Sequence, residues 1–268
     1  MCFQKLAYPK PRIVTSRCLK GELVRYNAEI LNNHSADALK PFAELIPVCP
    51  EVQIGMPVPR PPIQVHISDD LKIHQPSTDK DFTSQMRQFC EDIDFQKVDG
   101  FLLKARSPSC GIIDTPHFND PPSSKLQADP AGKGPGLFTY LMKSKHTEVP
   151  FCDEDRLIEI IVRDWFLTNC FLSARKRVKS SFEIKFAKLM KPQIGFSLKS
   201  LDEWPKTLFD FYKSLASESN LSKSSTPKYS KSPTEQMQNI HIWRRKHAPL
   251  ATSATQLTAI YPYPAELL

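Results

Sequence analysis

Short continuous apolar runs alternate with amphipathic stretches along the first two-thirds of the chain, and this alternation predicts strands and helices in turn. Apolar runs predict strands over about 11–16 and 43–48, with a short helix at about 35–41 between them. Gly55 to Pro62 is irregular and proline-rich, and the alternating Ile63-Gln64-Val65-His66-Ile67 predicts a strand, placed at a sheet edge. Over 79–97, Phe82, Met86, Phe89, Cys90 and Ile93 fall on one helical face, with Asp79 and Asp81 at the positive end. A strand over 100–105 follows. The passage 114–136 is turn-rich, and a helix is predicted over 153–174, opened by Asp153-Glu154-Asp155 and closed by Arg175-Lys176-Arg177.

Strands alternating with helices predict an α/β domain over 1–174, a mainly parallel, Rossmann-like sheet with flanking helices. Beyond it, 180–216 reads as helical pieces around Phe182, Phe186, Leu189, Phe209 and Phe211. Residues 217–235 are rich in Ser, Lys and Pro with almost nothing apolar, the composition of a flexible linker. The expectation for 175–268 is therefore a degenerate helical, partly disordered segment.

Composition sharpens the division. Seven of the 8 glycines precede residue 137, where tight strand-to-helix turns need them. Residues 1–160 carry 19 Lys and Arg against 21 Asp and Glu, whereas 161–268 carry 17 against 8, so the net charge of +7 divides into −2 and +9. The basic character belongs to the second part, where it would favour an anionic partner such as RNA. The first residues lack the apolar core of a signal peptide, and no stretch approaches the ~20 apolar residues of a membrane span. The expectation is a cytoplasmic protein without a membrane partner; nothing in the sequence sets its oligomeric state. Seven cysteines without close pairing suit a reducing compartment, with thiolates or metal ligands rather than disulfides.

Three of them, Cys18, Cys49 and Cys110, each follow an apolar run closely. Open α/β sheets gather their chemistry beyond the carboxyl ends of their strands, so the three could share one site. Their spacings, 31 and 61 residues, match no zinc ribbon or ferredoxin pattern. Position alone leaves core cysteines, a zinc site and an iron–sulfur site all open. Cys90 reads as core and Cys152 as a loop thiol ahead of a helix. Gly132-x-Gly134-x-Gly136 lacks the setting of a phosphate cradle and reads as a close backbone approach near the site. Arg25 and Lys104 are candidates for orienting a ligand, with surface salt bridges as the plainer reading.

The neighbouring residues carry a resemblance. Ser16-Arg17-Cys18-Leu19-Lys20-Gly21 with Val24-Arg25-Tyr26, Pro47-Val48-Cys49-Pro50-Glu51-Val52 with Gly55 and Val58-Pro59-Arg60, Lys104 through Gly111, and Gly134-Pro135-Gly136-Leu137-Phe138 together resemble the thiouracil desulfurase family, in order over about 11–170. The resemblance implies a small α/β enzyme with a [4Fe–4S] cluster ligated by Cys18, Cys49 and Cys110, its fourth iron open to the sulfur of a thionated base. It also implies catalytic roles for Glu51 and Ser107. A carboxylate could activate water or shuttle a proton, and a serine could hydrogen-bond the substrate. The chain departs from the family where Tyr26-Asn27 is followed by Ala28 instead of glycine, which predicts a differently shaped loop. Ile242-Trp243-Arg244-Arg245 through Leu267 resembles a shortened remnant of the helical domain of longer relatives. The alternative is a non-catalytic iron–sulfur or zinc module contacting RNA or another anionic partner through its basic C-terminal half.

Overall fold

A computed structural model of the chain describes residues 10–31, 33, 35–95, 97–119, 129–158 and 160–177. The helical pieces, linker and remnant expected after residue 177 lie outside the described residues. Two compact units divide the chain: Ile13–Asp155, and a second comprising Met1–Arg12 with Arg156–Leu268.

The first unit is α/β, as expected, and contains two sheets. One has the order β2(Glu44–Val48), β1(Arg12–Ser16), β6(Gly100–Leu103), β9(Phe151–Asp153), with β1, β6 and β9 parallel. Every residue of β6 is buried, which explains why it reads as an unbroken apolar run. The second sheet has the order β5(Lys80–Asp81), β4(Leu71–Gln75), β3(Gln64–Ile67), β7(Thr115–Asn119), β8(Gly132–Gly134) and is mostly antiparallel.

Several expectations are corrected. β3 is the central strand of its sheet, paired with both β4 and β7, and not an edge. The helix expected over 79–97 is α3(Thr83–Asp92), because Asp79 takes φ 53 and Lys80–Asp81 pair with β4. Asp81 nevertheless serves the helix start, its carboxylate accepting the Thr83 amide at 2.6 Å. The turn-rich passage contains β7 and β8 and leads into α4(Leu137–Lys145). The helix expected from 153 is α5(Ile160–Arg177), since residues 151–153 form β9 with Cys152 buried in it.

The core of this unit joins Val14, Phe101 and Leu103 from the parallel sheet, Val65 and Ile73 from the second sheet, Met86 and Cys90 from α3, and Phe138 and Met142 from α4. Phe82, Phe89 and Ile93 pack on it as partly buried residues, so the apolar face read around α3 is the face that meets the core. In the second unit, α5 buries Phe166, Leu167, Cys170, Phe171 and Ala174. No helix among the described residues is long and apolar enough to cross a membrane.

Candidate active site

The four adjacent strands of the parallel sheet each lead to a piece of one cavity or to the pair that backs it. After β1, Arg17–Lys20 form a 3₁₀ turn holding Cys18, closed by Gly21 at φ 77, whose amide meets the carbonyls of Arg17 and Cys18. That left-handed closure is where glycine avoids the Cβ penalty. After β2, Cys49 precedes the short helix α2(Pro50–Gln53). Pro50 stands at its first position, where a missing N–H costs nothing, and Glu51 lies in the first turn.

After β6 comes the Cys110 loop, the most heavily bonded of the three. The Ser107 Oγ accepts the Cys110 amide at 3.1 Å, and the Ser107 carbonyl accepts the Gly111 amide at 2.8 Å and the Thr115 hydroxyl at 3.0 Å. The first turn of α4 also grips this loop: Leu137 and Thr139 amides donate to the carbonyls of Pro108 and Ser109, and the Thr139 hydroxyl donates to that of Cys110. Helix amides that would otherwise lack partners thus fix the cysteine loop. Gly136 makes this approach possible, since a Cβ there would stand 2.5 Å from the Ser109 carbonyl carbon and oxygen. The close approach expected of the glycine series is therefore found at Gly136, while Gly132 has open space around it.

Cys18, Cys49 and Cys110 line one cavity of about 390 Å³, together with Glu51, Ser107 and Ser109. None of the six cysteines among the described residues forms a disulfide. Burial pushes the Cys18 thiol up to about 12, with the neighbouring Cys49 and Glu154 adding to the rise while Lys104 and Arg25 oppose it. Burial likewise raises Cys110, which is influenced by both other thiols, and raises Cys49. Among the described residues, no three or more His, Cys, Asp or Glu side chains converge as ligands of a single ion. Three soft sulfurs line the same cavity. Thiolate donors of this kind fit an iron–sulfur cluster.

Glu51 is buried and fully engaged. Its Oε2 accepts Nε and Nη2 of Arg60 at 2.8 and 2.7 Å, and its Oε1 accepts the Ser109 hydroxyl at 2.7 Å. Because a hydroxyl has a single proton, the 3.1 Å contact between Ser107 and Ser109 runs from Ser107 Oγ–H to Ser109 Oγ. The result is a directional chain, Ser107 to Ser109 to Glu51. Ser109 and Arg60 were not singled out from the sequence, although both stand inside the motifs quoted above.

Glu154 reads in the sequence as a helix opener, and the structure uses it otherwise. It follows β9 directly, is almost wholly buried, and accepts Lys104 Nζ at 2.5 Å on one oxygen and the Ala105 amide at 2.8 Å on the other. Lys104 is thus held in a partly buried pair beside Cys18. Arg25 lines the cavity and stands 3.9 Å from the exposed Glu29. Ala28 adopts φ 55, the left-handed backbone that glycine accepts without strain.

An α/β domain that delivers thiols and a hydrogen-bonded carboxylate from neighbouring strand ends to one cavity has the layout of an enzyme of the open-sheet class. The 2-thiouracil desulfurase family model matches residues 13–154, and the chain belongs to that family. Among solved structures, one described as the [4Fe-4S]-dependent thiouracil desulfidase TudS is 26% identical, covering 57% of this chain and 97% of that one with a TM-score of 0.43. A search of curated proteins found no match.

Proposed function

We propose that this protein removes sulfur from a thionated nucleobase such as thiouracil, giving the oxo base and sulfide without net redox change, with a [4Fe–4S] cluster held by Cys18, Cys49 and Cys110. The observation that carries this reading is that these thiols share a cavity with the Ser107–Ser109–Glu51 chain, in a member of the desulfurase family. Such a cluster, held by Cys18, Cys49 and Cys110, would supply Lewis acidity toward the thiocarbonyl group.

The chain's own residues perform the acid–base work. Ser107, at the cavity wall, hydrogen-bonds the ring or the water that adds to its carbon. Glu51 receives the proton through Ser109 and returns one to the departing product. Acid–base assistance of this kind is worth about 10²–10⁴-fold. Arg17, Arg25, Lys104 and Arg106 also line the cavity, each facing a carboxylate: Glu22, Glu29, Glu154 and Asp155 respectively.

Anaerobic purification followed by metal and sulfide analysis should find about four of each per chain, with conversion of thiouracil to uracil followed by chromatography. A protein that remains iron-free after reconstitution, or sulfide release unchanged in both Glu51→Ala and Ser107→Ala, would sink the reading.

A further inference from the structure

Arg60 lies at the end of the irregular Gly55–Pro62 segment with its side chain only 3% exposed, and its donors are almost all spent within the protein. Nε and Nη2 converge on a single oxygen of Glu51, Oε2. Nη2 also donates to the Val24 carbonyl at 3.0 Å, Nη1 to the Pro57 carbonyl at 3.1 Å, and the Arg60 amide to the Tyr26 carbonyl at 2.8 Å. The carbonyl of Val24 also accepts the Cys49 thiol, at 3.8 Å.

A carboxylate's terminal torsion is soft and broad, so an unrestrained Glu51 would settle at intermediate angles where neither oxygen points at Ser109. Two N–H groups on Oε2 stop that rotation and leave Oε1 facing the serine. A lysine could match the charge but not the fork, because its ammonium is a single point on a flexible stem. Four of the five guanidinium N–H groups are engaged within the protein, which leaves little of Arg60 to bind substrate.

We propose that Arg60 is a positioning residue for the reaction: it orients the Glu51 carboxylate so that Oε1 meets Ser109, and it fastens the Val24–Tyr26 segment to the same anchor. This inference rests on the desulfurase reading above. It assigns Arg60 an effect on turnover, exerted through Glu51, and not on substrate affinity or on holding the cluster.

The test compares the anaerobically prepared parent with Arg60→Lys, Arg60→Ala, Glu51→Gln and the double variant Glu51→Gln/Arg60→Lys, measuring thiouracil turnover alongside iron and sulfide content and visible absorption. Arg60→Lys should lose on the order of 10²-fold in kcat, the scale of a small misplacement of a reacting group, with KM within about threefold and cluster content equal to the parent. The double variant should be no slower than Glu51→Gln alone, because both changes remove one unit. Millimolar guanidinium, but not potassium at equal ionic strength, should raise the turnover of Arg60→Ala.

Parental kcat in Arg60→Lys, a loss of kcat that follows a loss of iron, or a change confined to KM would each overturn the assignment. If Arg60→Ala fails to fold, Arg60→Lys and the double variant still decide it. A parent that turns over no thiolated base overturns the desulfurase reading and this inference together, whereas an active parent with an unimpaired Arg60→Lys overturns only the inference.

Discussion

Ser109 Oγ donates to Glu51 Oε1 at 2.7 Å, a bond between residues 58 apart that ties the Cys110 loop to the turn following Cys49. Ser109 is 1% exposed, so water has little room to replace its hydroxyl. Ser109→Ala should lower kcat by roughly 10²-fold by cutting Ser107 off from Glu51. It should also destabilise the cluster-free protein by about 1.5–3 kcal/mol, the worth of a hydrogen bond to a charged group. Steady-state turnover and urea unfolding read the two effects separately, and Ser109→Thr should recover much of both by restoring a hydroxyl.

Lys104 and Glu154 form the second buried contact of the site, with side chains 17% and 3% exposed. Breaking such a pair from one side leaves an uncompensated charge, which typically costs about 3–5 kcal/mol. Glu154→Gln should therefore lower the unfolding free energy by about that amount. A Glu154→Gln/Lys104→Met double variant should regain most of the loss, giving a coupling that a double-mutant cycle in urea can measure.

Cys18, Cys49 and Cys110 could be placed together from sequence because β1, β2 and β6 announce themselves as apolar runs: Cys18 and Cys49 come almost directly after β1 and β2, and Cys110 comes at the end of the loop that follows β6. In the structure these three strands are neighbours. Glu51 and Ser107 came from motif resemblance, and the structure puts both on the same cavity. The features illegible in the sequence depend on partners distant in the chain. β8 is Gly132-Lys133-Gly134, with no apolar residue, and exists because Thr115, Pro116 and His117 of β7 pair with it. α4 has no side-chain cap; its cap is the carbonyl set of the Cys110 loop. Glu154 sits in an acidic run ahead of an apolar helix, where the helix dipole is the obvious local use for it. Only the pairing of β9 with β6 turns it toward Lys104.

Ala28 is a place where local chemistry and backbone disagree. Its φ of 55 lies in the left-handed region, although Ala28 carries a Cβ. The expectation of a differently shaped loop, drawn from the missing glycine, must allow for this left-handed backbone at the same position. An Ala residue held there costs roughly 1–2 kcal/mol relative to a relaxed conformation. Ala28→Gly removes the strain but loosens the unfolded chain, so the expected net gain is about 0.5–1 kcal/mol. A higher urea midpoint with an unchanged slope checks it, and no rise would show that the turn tolerates Ala28 without strain.

Gly136 tests how firmly the cysteine loop must be held. Its φ of −69 suits any residue, so substitution there strains no backbone torsion. The difficulty is space: a Cβ would stand 2.5 Å from the carbonyl carbon and oxygen of Ser109 and 2.7 Å from the Pro108 oxygen. These are backbone atoms that cannot rotate aside, so Gly136→Ala must push α4 and the Ser107–Cys110 loop apart. Overpacking of this kind costs about 1–3 kcal/mol, and the same displacement would disturb Ser107, Ser109 and Cys110 together. Turnover and iron content should therefore both fall along with stability, unlike the kcat-only loss expected for Arg60→Lys. Gly132→Ala is the matched control, because nothing lies within 4 Å of a Cβ there; it should stay within about 0.5 kcal/mol of the parent. Equal behaviour of the two alanine variants would mean that the contact between α4 and the Cys110 loop contributes nothing to the site.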